Sequence, residues 1–509
     1  MKNILLIGAL FLMLSVPFSC SNFLNEVPFS EISESQFEDK SKLADLLLIG
    51  CYNGMQGALH NEWALTELRS DNARINTRIS STSTFNNIFL LDVGSTISLD
   101  PFVTEYWVLN YKNIARCNNA IMHYTTLNDS TKIRNISEAR FIRAYHYFNL
   151  LRLYGGVFLS TEPTTTDDVE TSRYTERSSV DDVLYFVEKE LETITNNNYL
   201  PKSYADVDKG RITDLAARSL LAKIYLHHYS PGTDKYNAAI PLLKQVITDG
   251  GNPQSYTDLV AYNNIFSVNN EMNKEIIFAI RYKSGNLGLG SPFANEFAPS
   301  NSGLSVINGQ GLSYNYPTNS IISAFEAGDL RKNVALAEGY TKSTGEYISD
   351  DGTGTYGNSR YIKKFLSQVT VPYDAENDFP IIRMGDVLLL YCEAVNESQG
   401  VTSEIINYYN MIRQRAGLNP KTTAEITNSF DFRQLIRQER RVELAFENQR
   451  WFDLLRWGNT SQFLNTTFIQ DEIYKVAGYS PNFSLEAILL PIPSIVLDIN
   501  PNIPQNLGY

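Results

Sequence analysis

Cysteine is scarce in this chain, with four in 509 residues, at positions 20, 51, 117 and 392. None falls in a C-x-x-C or Cys/His ligand spacing, which argues against a disulfide framework or a thiolate zinc site. Cys51, Cys117 and Cys392 lie in apolar helical stretches, where a free thiol packs as a small hydrophobe. Tryptophan is equally rare at four residues, so a broad indole platform for crystalline glycans is not expected. No run of five or six like charges occurs, so the chain carries neither a basic arm nor an acidic tail. A formal net charge of −13 argues against nucleic acid, whose phosphates reward clustered Lys and Arg. Beyond the first twenty residues no stretch approaches a membrane span of uncharged apolar positions. The five histidines form no H-E-x-x-H, and G-x-S-x-G, Walker A and G-x-G-x-x-G are also missing. Asp350-Asp351-Gly352 lacks the alternating oxygen ligands and closing Glu of a calcium loop. No metal or cofactor is expected.

What is present is a globular composition, 43% hydrophobic and 19% charged, rich in Tyr (30) and Phe (26). Most such rings pack cores, and exposed ones stack on the apolar faces of sugars or on peptide side chains.

Residues 1–19, MKNILLIGALFLMLSVPFS, read as a secretory signal: Lys2 as a minimal positive region, then an apolar stretch from Ile4 to Val16. Ser19 precedes Cys20, which suits cleavage before a cysteine that then carries lipid. Pro17 and Phe18 depart from the preferred lipobox residues. Lipidation at Cys20 would tether the mature chain to the envelope through acyl chains.

Four regions follow from periodicity: a signal peptide at 1–19, a helical region at 20–250, a loop-rich region at 251–380 and a second helical region at 381–509. A helix is predicted at about 36–57, and 72–101 is read as an excursion loop because Ser, Thr and Asn replace the apolar repeat. From 104 to 250 the spacing predicts helical hairpins. Phe141, Ala144, Tyr145, Phe148 and Leu151 share one face, with Arg140, Arg143 and Arg152 on others and Gly155-Gly156 as the stop. Further hairpins are predicted at 214–229/235–248 and 382–397/403–417. Their small and aromatic residues resemble degenerate tetratricopeptide repeats. The fold class expected is mostly α, a helical-hairpin scaffold carrying a long irregular excursion.

The densest charge cluster is Arg437 to Arg456. Glu443 and Glu447 could be read as a glycosidase acid and base. Interleaved arginines would hold both ionised, whereas a general acid needs a raised pKa. An ion-paired helix with Trp451, Phe452 and Trp457 beneath it is expected instead.

Several segments then carry a resemblance. They are CSNFLNEVP (20–28), ARFIRAYHYFNLLRLYGGV (139–157), GRITDLAARSLLAKIYLHH (210–228) and PIIRMGDVLLLYCEAVNE (380–397). INYYNMIRQRAGL (406–418), IRQERRVELAFENQRWFDLLRWG (436–458) and LLPIPSIVLDINPNIPQNLGY (489–509) complete the set. In this order they resemble the SusD/RagB family, with Asn448 and Leu507 as small departures. The resemblance implies a tetratricopeptide-containing helical fold and a lipid anchor in the outer membrane, exposed at the cell surface. It implies a TonB-dependent SusC-like transporter as partner. It also implies non-catalytic capture of glycans, or of peptides in some members.

A sugar site needs flat rings and planar polar side chains. Two segments offer both. Trp63 to Phe85 carries Asp71, Asn72, Arg74, Asn76 and Arg78, with Trp63 the one tryptophan outside the helical landmarks. Tyr282 to Tyr316 carries Asn286, Phe293, Asn295, Phe297, Asn301 and Tyr314. The competing readings are a surface-anchored hydrolase using the Glu443/Glu447 carboxylates and a repeat scaffold that binds only protein.

Overall fold

The computed structural model describes residues 39–75, 82–163, 175–350, 359–460, 463–464 and 488–509. The expected signal peptide, Cys20, Asn76, Arg78, Asp351 and Gly352 lie outside the described residues.

The chain is mostly helical. Helix α1 (Lys40–His60) starts where Asp39 accepts hydrogen bonds from the Ser41 and Lys42 amides, satisfying donors the first turn leaves open. The two-residue strand β1 (Ala73–Arg74) follows. The stretch read as an excursion loop then contains helix α2 (Ser83–Asp92). The Thr82 hydroxyl accepts from the Phe85 amide at 3.3 Å, and Phe85, Ile88 and Leu91 bury one face. The Ser, Thr and Asn that suggested a loop are the residues that cap helices, which is why the composition misled.

Helices α3 (Pro101–Thr126), α4 (Lys132–Tyr154), α5 (Val180–Asn196), α6 (Asp214–His228) and α7 (Asp234–Asp249) form the predicted hairpins, each packing on its predecessor. Gly155 ends α4 with φ +77°, which costs a Cβ-bearing residue strain. α4 is buried on nearly every side. Arg143, off the apolar face as expected, is nonetheless buried against Glu190 at 2.7 Å and bonds Asn118. Arg152 lies 3.4 Å from the Phe452 ring centroid. His146 bridges Asn110 and Asn113 of α3 at 2.7 Å each, and burial lowers its pKa to about 3. It is a neutral core residue.

After α7 the chain leaves the helical stack through strand β2 (Ile276–Ile280), short helix α8 (Phe293–Phe297) and strand β3 (Tyr316–Pro317). It returns through strand β4 (Phe379–Arg383), antiparallel to β2, so the excursion is zipped shut at its base. Helices α9 (Met384–Gln399), α10 (Ser403–Arg415), α11 (Ser429–Glu443) and α12 (Arg450–Gly458) resume the stack, α9 packing on α7 and α12 reaching back to α6. One core runs from Ala44 to Ile492 and includes the buried free thiols of Cys51, Cys117 and Cys392. Among the described residues no helix is long and apolar enough to cross a membrane.

The charge cluster is a buried lattice of ion pairs. Glu443 faces Arg383 and Arg415 at 2.5 Å each and Arg331 at 3.0 Å. Glu447 pairs with Arg383 and Lys364 at 2.8 Å each. Burial alone would raise the Glu443 carboxyl, but Arg415, Arg383 and Arg331 outweigh it and hold the pKa far below the usual range. A carboxylate locked in this way is a structural anion and a poor general acid.

Candidate functional site

The two segments singled out in the sequence meet. β1 pairs with β3, placing Ala73 opposite Pro317 and Arg74 opposite Tyr316. The Thr318 amide and hydroxyl donate to the carbonyls of Asn72 and Asp71 at 3.0 and 2.8 Å. On this seam the rings form a column. Tyr314 stacks on Trp63 with centroids 5.6 Å apart at 24°, and Trp63 meets Phe297 edge-on at 5.6 Å. Phe297 stacks on Phe293 at 5.5 Å, and Phe293 touches Tyr282, Phe365 and Phe379.

Most of that column is core. Trp63 is 2% exposed and Phe293 1%, and Phe297, Tyr282 and Phe85 are also buried. A ring packed on both faces has none left for a sugar, so the direct stacking expected of these five does not match their placement. Asp71 and Asn72 likewise face inward. Asp71 binds Arg450 through both oxygens, at 2.7 and 2.8 Å, and Asn72 accepts from Arg441. Burial opposes the charged Asp71, yet Arg441 and Arg450 keep its pKa far below the ordinary value. Arg74 donates to the Ser70 and Ala73 carbonyls. These three fasten the 61–75 segment to α11 and α12 and to itself.

At the accessible end of the column two tyrosines stand beside one carboxylate, an arrangement we call the mouth: the Tyr314 amide donates to the Glu296 carbonyl and the Tyr373 amide to Asn295, each at 2.9 Å. Tyr314 is half-buried and Tyr373 is 41% exposed. Burial and then the Glu296 charge raise both phenol pKa values, which puts the two rings within the field of one carboxylate. The His60 Nε2 lies 2.7 Å from Glu296 Oε1. Burial disfavours charge on His60, but the Glu296 hydrogen bond and charge win and raise its pKa. The other carboxylate oxygen, Glu296 Oε2, is buried with no hydrogen-bond partner among the described residues. So are Trp63 Nε1 and both amide atoms of Asn315. Buried polar atoms without partners are rare in native folds and point to a function.

The mouth is held rigid by Asn295, which is fully buried. Its amide nitrogen donates to the Asn308 and Gln310 carbonyls at 2.8 and 3.1 Å, and its oxygen accepts from the Tyr373 amide at 2.9 Å. Tyr373 adopts φ +62°, and Asn286, Asn301, Ser313 and Asn315 are also left-handed. Such strain persists only where surrounding bonds over-determine it, as at binding loops. Gly290 has to be glycine, because a Cβ there would sit 2.4 Å from the Asp374 Cα. Asp374 in turn accepts from the Gly285 and Asn286 amides at 2.8 and 2.7 Å. Asn286 and Asn301 are exposed nearby in sequence, and Tyr316 is half-buried beneath Arg360 at 5.8 Å.

Sequence reasoning missed three members. His60 was weighed only as a metal ligand, while Glu296 and Tyr373 carried no motif. Glu296 sits between two singled-out rings, Phe293 and Phe297, and that was the available signal. Among the described residues no group of three His, Cys, Asp or Glu is placed to hold a metal. A groove of about 960 Å³ lies elsewhere, between α1, the start of α4 and β2. Two of its lining side chains, Tyr52 and Arg211, are engaged by the buried Glu138 carboxylate.

The helical-hairpin stack with its loop excursion has counterparts among known proteins. Solved structures confirm the fold. A laminarin binding SusD-like protein superimposes with a TM-score of 0.74 at 22% identity, covering 92% of this chain and 99% of that one. Surface glycan-binding protein A from Bacteroides thetaiotaomicron, in complex with laminarihexaose, gives 0.73 at 18%, covering 91% and 99%. The model described as SusD family matches residues 333–509, and one described as starch-binding associating with outer membrane matches 22–226. SusD-like protein P25 of Formosa agariphila is 25% identical over 97% of both chains. A SusD-like protein of Bacteroides ovatus is 27% identical over 71% of this chain and 66% of its own length. Over most of its length the chain is thus similar to SusD-like proteins.

Proposed function

We propose that this protein captures glycan oligosaccharides at the cell surface and passes them to a TonB-dependent SusC-like transporter, without catalysing a reaction. The observation that carries the reading is the mouth itself: an exposed Tyr373 and a half-buried Tyr314 beside buried polar atoms that lack partners. Tyrosine faces stack on sugar rings and unpaired polar atoms accept hydroxyls, so the two together suit a carbohydrate. The family descriptions, which name starch binding and association with the outer membrane, support it. A lipid on Cys20 would hold the chain where such a handover takes place, and the helical scaffold is the surface offered to the barrel. Against hydrolysis stands the locked state of Glu443 and Glu447.

The test is calorimetric titration of the chain against neutral and acidic oligosaccharides and short peptides, with product analysis afterwards. Saturable glycan binding without turnover, weakened about tenfold by Tyr314→Ala, is the expected result. Peptide binding alone, or turnover that disappears in Glu443→Gln, would overturn it. Copurification of a large β-barrel with the tagged chain tests the handover.

A further inference from the structure

We infer that the mouth selects an uncharged, hydroxyl-rich glycan over a uronate- or sulfate-bearing one, and that Glu296 sets this choice; the inference rests on the glycan reading above. Three buried groups at or beside the mouth have no partner among the described residues: Glu296 Oε2, Trp63 Nε1 directly beneath Tyr314, and the amide of Asn315 next to it in the chain. Glu296 is 8% exposed and Trp63 and Asn315 less, so each depends on a ligand or ordered water for its bonds. Their chemistry is mixed. A carboxylate oxygen only accepts, an indole N–H only donates, and an amide does both. A sugar hydroxyl donates and accepts, so vicinal hydroxyls can satisfy all three. An ammonium could satisfy Glu296 but would offer nothing to the indole.

Charge points the same way. His60 already engages Glu296 through the other oxygen, at 2.7 Å, and Glu105 stands behind it, bonded to Asn61. The charges acting on His60, Tyr314 and Tyr373 from α1, α3 and α8 are those of Glu296 and Glu105. On the adjoining seam, Arg360 is bonded to Asn319 and paired with Asp350, and Arg74 is bonded to the Ser70 and Ala73 carbonyls. A uronate entering here would bring a second carboxylate up to Oε2 with one imidazole shared between them. Like charges at that range repel in a partly desolvated site.

The experiment compares laminarihexaose, maltohexaose and cellohexaose with galacturonate and mannuronate oligomers of matched length, by titration against the intact chain. Wild type is expected to bind at least one neutral oligomer about tenfold or more tightly than any uronate. Glu296→Gln, which keeps shape and removes charge, should weaken the neutral ligand about tenfold and narrow the gap to the uronates. His60→Ala should widen the gap, because the carboxylate loses its compensating charge. Thermal unfolding of both variants confirms that the fold is kept. Equal or tighter uronate binding by wild type, or a gap unchanged in both variants, overturns the inference and leaves the glycan reading standing. Silence toward every oligosaccharide, with the chain folded, overturns both.

Discussion

The C-terminal helices and the excursion handle buried polarity in opposite ways. Around α9 to α12 each carboxylate of the lattice has a guanidinium or ammonium against it: Glu443 has three, Glu447 two, and Asp453 sits between Arg440 and Arg456. In the excursion the backbone is pinned by Asn295 and Asp374, yet Glu296 and Asn315, like Trp63 packed against Tyr314, keep polar atoms with no partner among the described residues. Carboxylates countered in this way have no free charge to offer a ligand. An open arrangement is stable only because its loops are held from behind. Charge density in a sequence therefore misdirects the search for a site here. The richest cluster is the most inert, and the mouth is built from one carboxylate and one imidazole.

The comparison breaks most visibly if a lattice member is removed. Arg383→Ala strands Glu443 and Glu447 in a dry interior and should destabilise the chain by about 3–5 kcal/mol, read by urea unfolding. Glycan affinity of the molecules that remain folded should be unchanged. Equal loss of binding would mean the two regions are one unit.

Next comes pH. Glu67 is fully buried, with hydrogen bonds from Asn72 and Asn448. Burial raises its pKa from 4.5 to about 7, against those hydrogen bonds. Between these values the folded chain holds a proton that the unfolded chain has released, so stability falls as pH rises from about 4.5 to 7. The contribution is on the order of 3 kcal/mol, and Glu67→Gln should flatten that slope. Asp71 and Glu443 act in the opposite sense. Their depressed pKa values give stability that is present above about pH 4–4.5 and lost below it. Melting temperature should therefore peak near pH 5, and a flat profile from 5 to 8 would contradict the burial of Glu67.

The smallest stability effect belongs to the mouth. Tyr373→Ala should move unfolding by no more than about 0.5 kcal/mol, because the ring is exposed. It should still lower glycan affinity several-fold by titration. A large stability loss would place Tyr373 in the core and remove it from the site.

Much of the scaffold was legible because its signals are local. The i, i+3, i+4 spacing of Phe141 to Leu151 and the stop at Gly155 lie within a few turns of one another. α2 was not, since its Ser, Thr and Asn serve as caps and exposed faces around Phe85, Ile88 and Leu91. The fold brings the two aromatic segments together, which the sequence does not predict, and the pattern could not say which rings would be packed on both faces. Glu296 and His60 stand 236 residues apart and become neighbours only through the fold. Tyr373 depends on a left-handed backbone fixed by Asn295, a constraint that no periodicity displays.

The antiparallel pairing of β2 with β4 has an evolutionary reading. Because Ile280 lies opposite Phe379, the excursion enters and leaves the stack at a single point, like a loop cut into a finished wall. Lengthening such an insertion is thermodynamically mild, about 0.6 kcal/mol for each doubling of a flexible loop. Residues 281–378 can thus diversify in length and chemistry while the helical stack stays fixed. A lineage with this arrangement can change the chemistry of the mouth by rewriting one insertion.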